Sequence, residues 1–401
     1  MNHEKSSIGS LICYPFFPFF AFINACRDLK NKWNGIVFIL FFGLFGYAHT
    51  FSDIRADSYR KFLDFNSFSI SSFPEIWEQY IHGDIKDIYE GFLFVGLKNW
   101  TDDPHIMMMA VGLAGGLFSW LVLRRIICDS TVKYSWCIYI LILFTIMRFN
   151  PVSMGGIRNF TALSIFTYSA IRFLVDKNNK WFWGLLICPL IHFSFIVYIA
   201  GTIFIKFVRI PKTALFWAVI VACTASVFLN TGTWSKVIGS ATTYVSNESM
   251  SNRIEHYADE DTEEHFSASL TTQILRIQNR IGAFFVIVFL FYVKRNWKKL
   301  NIDKYTDRLY RLLLFWLFFG YLFISFSVVG QRYLPFGMIM LYFFMLNLYV
   351  RNKNSGIKSF IYSMPVVFIG NIAWFVYNCY CNTLLALYYA PLPVLLLSVH
   401  Q

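Results

Sequence analysis

Apolar runs of about 17–22 residues, each long enough to cross roughly 30 Å of hydrocarbon as a helix, recur from one end of the chain to the other. This pattern predicts an all-α, polytopic membrane helix bundle with about 11 membrane segments. The composition agrees, since 57% of the residues are hydrophobic and 14% are charged, whereas soluble proteins average roughly 25% charged residues. We expect a single transmembrane domain over residues 1–401.

The net charge of +12 collects in short loops between the apolar runs. This is the positive-inside pattern of multi-pass membrane proteins, so the charge predicts cytoplasmic loops and no nucleic-acid partner. The acid-rich regions 52–103 and 230–279 are then expected to be non-cytoplasmic loops. The basic loops lie at residues 27–32, 124–133, 172–180, 206–212, 294–311 and 351–358.

The apolar segment 181–207 conflicts with this assignment if it crosses the membrane once, because basic loops lie at both of its ends. The pattern is consistent if the segment enters and returns as a broken or re-entrant hairpin near Pro189 and Ser194. Irregular backbone at membrane depth requires cover by protein or a water-filled cavity. The alternative is one long span and an imperfect charge rule.

With the hairpin topology, four arginines from four predicted spans face the non-cytoplasmic side, where the positive-inside rule predicts few. Guanidinium groups bind phosphate and carboxylate through paired hydrogen bonds. The arginines therefore indicate a site for an anionic lipid, and we expect that lipid to bear a pyrophosphate. In the structural alternative, each arginine reaches lipid headgroups or pairs with a nearby acid. The four residues are Arg148, Arg158, Arg280 and Arg332.

Two positions offer a general base, which must come within hydrogen-bond reach of the hydroxyl that it deprotonates. Asp57 precedes a run with helical spacing, and Asp53 lies one turn before it. His192 lies two residues before Ser194 in the proline-interrupted segment. The structural alternatives are a solvated helix start for the acids and a satisfied core residue for the histidine.

Other motifs do not indicate cofactor chemistry. The cysteines lie mostly inside apolar runs, and no Cys/His cluster has zinc spacing, so we expect neither a metal nor a cofactor. Gly112, Gly115 and Gly116 favour close packing of helices over a phosphate-binding loop.

Five short motifs resemble those of the EpsG/Wzy-type family of bacterial integral-membrane polysaccharide polymerases, which make O-antigen, capsule or exopolysaccharide. The likeness covers roughly residues 10–380. The motif at 52–59 keeps Asp57 and Tyr59 but lacks the Gly-Thr pair that often precedes the acid in the family, so Asp53 is the alternative match. The motifs are SDIRADSY (52–59), GGIRNFTALSIF (155–166), LIHFSFIVYI (190–199), NRIEHYADED (252–261) and QRYLPF (331–336).

The resemblance implies a multi-pass glycosyltransferase of the bacterial inner membrane, acting at its outer face. It would move a growing glycan from undecaprenyl pyrophosphate onto a new lipid-linked oligosaccharide repeat unit, with no metal and no nucleotide sugar. Its catalytic candidates are Asp57, Arg158 and His192. The expected substrate-binding residues are Arg158, Arg332, Arg148, Arg280, Asp53 and Tyr59.

Membrane lipids are the other expected partners, and the resemblance leaves open whether a further protein regulates chain length. A second function, from a different class, is a lipid-linked glycan transporter or flippase. It predicts polar residues at several depths of the bundle, whereas the predicted ionisable groups cluster at one face. A membrane acyltransferase that uses His192 would need a cytoplasmic acyl-donor site, for which the sequence offers no candidate.

Overall fold

The computed structural model describes residues 9–51, 56–70, 72–128, 135–228, 270–324, 327–352 and 355–399, and it is all-helical. The helices are α1 (Pro18–Ala25), α2 (Lys32–Tyr47), α3 (Asp57–Ser67), α4 (Phe73–His82), α5 (Tyr89–Lys98), α6 (Pro104–Cys128), α7 (Trp136–Phe149), α8 (Ile157–Ala170), α9 (Phe182–Ile191), α10 (Phe195–Phe207), α11 (Lys212–Phe228), α12 (Leu270–Arg295), α13 (Lys304–Leu322), α14 (Ser327–Asn352), α15 (Ser355–Val367), α16 (Ile369–Asn382), α17 (Ala386–Tyr389) and α18 (Leu392–Ser398).

Four helices in the described part of the chain are long and apolar enough to cross a membrane, namely those at 104–127, 136–155, 276–295 and 332–351. A fifth span results if α15 and α16, which are bent by 52° at a short break, are counted together. The predicted all-helical membrane class is confirmed, and the predicted count of about 11 segments is not. Several apolar runs form shorter helices in the structure, among them α2, α10 and α11.

One predicted boundary differs from the structure, and one apolar run is interrupted. Helix α12 begins at Leu270, within the region 230–279 that was expected to be a loop, and most of that region lies outside the described residues. The apolar run at 359–377 is not one helix, because the chain breaks at Phe368. Pro365 lies just before this break and has no N–H to donate within the helix, which is a common cause of a kink.

The chain divides into two compact units, residues 1–208 with 375–401 and residues 209–374. In the first unit, α2 packs along α6, and α6 and α9 both pack against α8. A methyl group on Gly112 or Gly116 would overlap Phe42 of α2, so these glycines permit close helix packing, as predicted. In the second unit, α13 packs against α11 and α14. The expected single transmembrane domain stays a prediction.

One end of the first unit carries the predicted cytoplasmic loops. The indole of Trp120, near the end of α6, donates a hydrogen bond of 3.1 Å to the carbonyl of Leu29. Arg125 donates to Asp176, which follows the helical turn 171–175 after α8, through Nε (2.9 Å) and Nη2 (2.7 Å). The described parts of the basic segments 27–32, 124–133 and 172–180 therefore lie at one end of this unit, as they must if all three face the same side of a membrane.

The second unit groups its own basic loops in the same way. Lys212 at the start of α11 pairs with Asp307, and its ammonium lies 4.6 Å from the ring centre of Trp297. Arg351 near the end of α14 pairs with Asp303, which caps α13 by accepting a 2.8 Å hydrogen bond from a backbone N–H. The loops around 294–311 and 351–358 thus share one end of this unit.

Segment 181–207 folds as a hairpin. Helices α9 and α10 are separated by a break at residues 192–194. A straight helix over this segment would place its ends roughly 40 Å apart. Instead, Lys206 near the end of α10 donates a 3.0 Å hydrogen bond to Asn179, just before α9. Its ammonium also lies 3.4 Å from the ring centre of Phe173. The chain therefore reverses direction within this segment, as the hairpin interpretation predicted, and its re-entry into a membrane stays a prediction.

Candidate functional site

Arg158 is the second residue of α8, and it contacts two carboxylates. Its Nη1 donates a hydrogen bond of 3.1 Å to Oδ2 of Asp87, and its Nε lies 3.2 Å from Oε2 of Glu90. A cation in the first turn of a helix is disfavoured by the helix dipole. The two carboxylates offset this cost and fix the guanidinium plane through different nitrogens.

Asp87 lies in the loop that joins α4 to α5. Gly83 ends α4 in the left-handed conformation (φ 84°), which a residue without a Cβ adopts readily, and the chain then turns toward α9. The backbone N–H of Ile88 donates a 3.0 Å hydrogen bond to the carbonyl of Leu190, next to the hairpin break. Asp87 is the one charged residue classed as buried in the described part of the chain, and only 3% of its side chain is exposed.

Glu90 and Lys61 extend this cluster to α3. Glu90 is the second residue of α5, a position that the helix dipole favours for an acid. Its Oε1 contacts the ammonium of Lys61, which also lies 2.7 Å from Oδ2 of Asp64. Glu90 and Lys61 are mostly buried, whereas half of the Asp64 side chain is exposed. Tyr89 holds α5 against α8 through a 3.1 Å hydrogen bond to Thr161.

His192 approaches the same acid from the hairpin. It begins the break between α9 and α10, and its Nδ1 lies 4.0 Å from Oδ2 of Asp87, the oxygen that also accepts from Arg158. This separation is longer than a hydrogen bond and suits an electrostatic contact. The structure thus brings Arg158 and His192, which are 34 positions apart in the chain, close to the same carboxylate oxygen.

Several groups influence the pKa of Asp87, in opposite directions. Burial is the largest influence on Asp87 and raises the pKa of its carboxyl group. The Arg158 guanidinium lowers this pKa, the neighbouring Glu90 carboxylate raises it, and the Lys61 ammonium lowers it, and the net direction is upward. A carboxylate with a raised pKa is a stronger proton acceptor than a solvated one.

The guanidinium of Arg158 retains an accessible part. The carboxylates contact Nε and Nη1, and 39% of the side chain is exposed. Among the described residues, no carboxylate pairs with Nη2. The arrangement can therefore hold an anionic or hydroxyl-bearing ligand on Arg158 while a proton acceptor lies beside it. The same contacts also agree with the alternative given from the sequence, in which each arginine pairs with a nearby acid.

The other predicted residues of the first unit make different contacts. Asp57 forms an ion pair with Arg60 on the surface, and more than half of each side chain is exposed. Tyr59 stacks on Phe62, with ring centres 6.0 Å apart. Asp53 lies outside the described residues. These contacts do not join Asp57 or Tyr59 to Arg158, and their predicted roles stay predictions.

The four predicted arginines are divided between the units. Arg148 ends α7, close in sequence to Arg158 in the first unit. Arg280 on α12 and Arg332 on α14 belong to the second unit. Arg280 and Arg332 each lie roughly 20–30 Å along their helices from the end that carries basic residues, and their predicted position on the non-cytoplasmic side stays a prediction. A common ligand for all four remains a prediction.

Sequence reasoning missed Asp87, Glu90 and Lys61. A signal for the two acids was present, since Asp87 and Glu90 are three residues apart and directly precede an apolar run. This spacing places them on one side of a helix start. No group of three or more His, Cys, Asp or Glu residues suited to a metal ion occurs among the described residues.

Comparison with known proteins identifies the chain by its family. The family model described as the EpsG family matches residues 70–389, which is most of the chain and includes Asp87, Arg158 and His192. No curated protein and no solved structure matches the chain. With this match and its all-helical, membrane-spanning character, the chain belongs to the EpsG family, the family of Wzy-type polysaccharide polymerases.

Proposed function

We propose that this protein polymerises undecaprenyl-pyrophosphate-linked oligosaccharide repeat units at the outer face of the bacterial inner membrane. The family match supports a polysaccharide polymerase. The observation that carries the site assignment is the meeting of Arg158, buried Asp87 and His192. These groups lie at the end of the first unit away from its basic loops, the end that the positive-inside rule assigns to the non-cytoplasmic side.

In the proposed reaction, a hydroxyl on the non-reducing sugar of a new repeat unit attacks the anomeric carbon of the growing glycan. The bond between that carbon and the pyrophosphate oxygen breaks, and its electron pair leaves with undecaprenyl pyrophosphate. The hydroxyl proton passes to Asp87. Burial raises the pKa of this carboxyl group, while the nearby cation Arg158 favours its charged form.

Arg158 has two tasks in this proposal. Its contacts with Asp87 and Glu90 hold the base in place, and the exposed part of its guanidinium stabilises negative charge on the departing pyrophosphate. His192, at 16% side-chain exposure, is more accessible than Asp87 and lies 4.0 Å from it. We assign to it the hydrogen bond that orients the acceptor hydroxyl beside Asp87.

The test is the length of the glycan made by an Arg158→Ala variant in a strain that lacks the wild-type chain. Loss of one charge-stabilising donor lowers such rates by about 100- to 1,000-fold. We therefore expect single repeat units on the lipid carrier. Arg158→Lys keeps the positive charge but loses the planar set of N–H donors that a guanidinium presents, so we expect short polymers. Polymer of wild-type length in Arg158→Ala, at normal membrane levels, would refute the assignment.

Arg172→Ala is the matched control. Arg172 lies at the other end of the same helical segment and pairs with Asp176 at 2.8 Å, but Asp176 keeps its two contacts with Arg125. This variant should make polymer of wild-type length. A transporter, by contrast, predicts that loss of the chain leaves lipid-linked units on the cytoplasmic side of the membrane, where a periplasmic glycosidase cannot reach them.

A further inference from the structure

Glu90 contacts two basic side chains, and in the proposed chemistry it is neither the proton acceptor nor a ligand of the leaving group. One carboxylate oxygen lies 3.2 Å from Nε of Arg158, and the other contacts the ammonium of Lys61. Arg158 then reaches Asp87 with Nη1. Three helices, α3, α5 and α8, thus supply one continuous chain of ion pairs that ends at the buried carboxylate of Asp87.

We propose that Glu90 is a positioning residue that sets the charge state of Asp87 through its own mostly buried negative charge, and that Lys61 opposes this effect as the counter-charge of Glu90. This inference rests on the proposed function. Glu90 would act on the base Asp87 and would not touch the substrate. The low exposure of Glu90 (14%) and Lys61 (18%) makes their charges effective, since water screens them little.

The groups that face Asp87 come from every element around its loop. Arg158 approaches from α8, Glu90 from α5, Lys61 from α3, and His192 from the hairpin. The other charged residues of the loop itself, Asp84 and Lys86, are exposed to solvent. The balance at Asp87 therefore depends on a small number of enclosed charges, and Glu90 and Lys61 can each be neutralised without removing a group that contacts Asp87.

The two neutralising variants should act in opposite directions. Glu90 raises the pKa of Asp87 and Lys61 lowers it, so Glu90→Gln should lower this pKa and Lys61→Met should raise it. A base works only in its ionised form, so activity is lost as the pH falls through its pKa. The acid limb of the pH profile should move to lower pH in Glu90→Gln and to higher pH in Lys61→Met.

The experiment uses the purified full-length chain in lipid vesicles. The substrate is undecaprenyl-pyrophosphate-linked repeat units extracted from a strain that lacks this chain. The measured quantity is kcat/KM for polymerisation as a function of pH. We expect shifts of about 0.5–1 pH unit in opposite directions, with activity on the alkaline side within a few fold of wild type. Glu90→Asp, which keeps the charge, should restore most of the wild-type profile.

Asp64→Asn is the matched control, because it removes the other carboxylate on Lys61 and the same unit of charge. Asp64 is half exposed, so its removal should leave the acid limb in place. An equal shift in Asp64→Asn would refute a specific role for Glu90. So would an unchanged acid limb, or shifts in the same direction, in Glu90→Gln and Lys61→Met.

The proposed function has a separate outcome. If Arg158→Ala and Asp87→Asn polymerise like wild type, the proposed site is wrong, and this inference falls with it. If those variants lose activity while Glu90→Gln keeps the wild-type pH profile, the site stands and only the role of Glu90 is refuted.

Discussion

Gly155 offers a test of the packing that supports the site. It lies in the turn at 151–155, three residues before Arg158, against the start of α3. A Cβ added at Gly155 would lie 2.8 Å from the Cβ and 2.9 Å from the backbone nitrogen of Ser58, whereas ordinary contact begins at 3.4 Å. The turn and α3 must therefore separate by roughly half an ångström, a gap that forfeits a quarter or more of the local dispersion energy.

The expected cost of Gly155→Ala can be set against a control in the same motif. Overpacking of this kind destabilises by about 1–3 kcal/mol, while the loss of a glycine stabilises by about 0.4–1 kcal/mol through the unfolded chain. At Gly156 the nearest atom, the carbonyl oxygen of Ser153, would be 3.5 Å from an added Cβ. Gly156→Ala should therefore be stabilised through the unfolded chain without any clash. The free energies of unfolding of the two variants should differ by about 1–3 kcal/mol.

Two quantities are measured for each variant. An SDS titration gives the free energy of unfolding in detergent, and a polymerisation assay gives the rate of the folded protein. Lys61 lies on α3 one turn after Ser58, so a displaced α3 also disturbs the contact between Lys61 and Glu90. Because small misplacements of catalytic groups are costly, we expect about a tenfold lower rate in Gly155→Ala and little change in Gly156→Ala. Equal stability and equal rates in the two variants would refute the reasoning.

Two further predictions concern the other end of the first unit. Cysteines at Asn179 and Lys206, in a background without other cysteines, should be joined by a short bismaleimide, because the two side chains are 3.0 Å apart; a single span would give no product. Asp176→Ala leaves the mostly buried Arg125 without its bidentate partner and should lower the free energy of unfolding by about 3 kcal/mol in the SDS titration. Arg172→Ala should lower it by less than about 1 kcal/mol, since Arg125 still holds Asp176, and equal losses would contradict this account.

Much of the fold could be predicted for two reasons. A helix that crosses a bilayer needs a long run of apolar residues, and the basic residues between such runs indicate which loops share one side of the membrane. The hairpin at 181–207 is the clearest case, since its return follows from basic residues at both ends. The number of spans could not be predicted in the same way. Apolar composition does not reveal where a helix stops, as at Phe368, or that a run such as α10 pairs with its neighbour and does not cross alone.

The site was predictable in part for a similar reason. Arg158 and His192 stand out because ionisable groups in apolar runs are costly and therefore rare. Asp87 does not stand out, since it belongs to a region with many acids, and sequence spacing does not tell which of them is buried. Its burial depends on a tertiary contact, the hydrogen bond between Ile88 and the carbonyl of Leu190. Asp57 had the expected spacing but lies on the surface.

That hydrogen bond also has a consequence for biogenesis. Neither arm of the hairpin is long enough to cross a bilayer, and the break leaves carbonyl groups of α9 without partners in the next turn. Burying an unsatisfied carbonyl in hydrocarbon costs several kcal/mol. The ribosome makes Ile88 about a hundred residues before Leu190, so the donor is already present when the hairpin emerges. We expect the hairpin to insert against a preformed α5, α6 and α8, and an N-terminal fragment that ends before residue 182 to be a stable assembly intermediate.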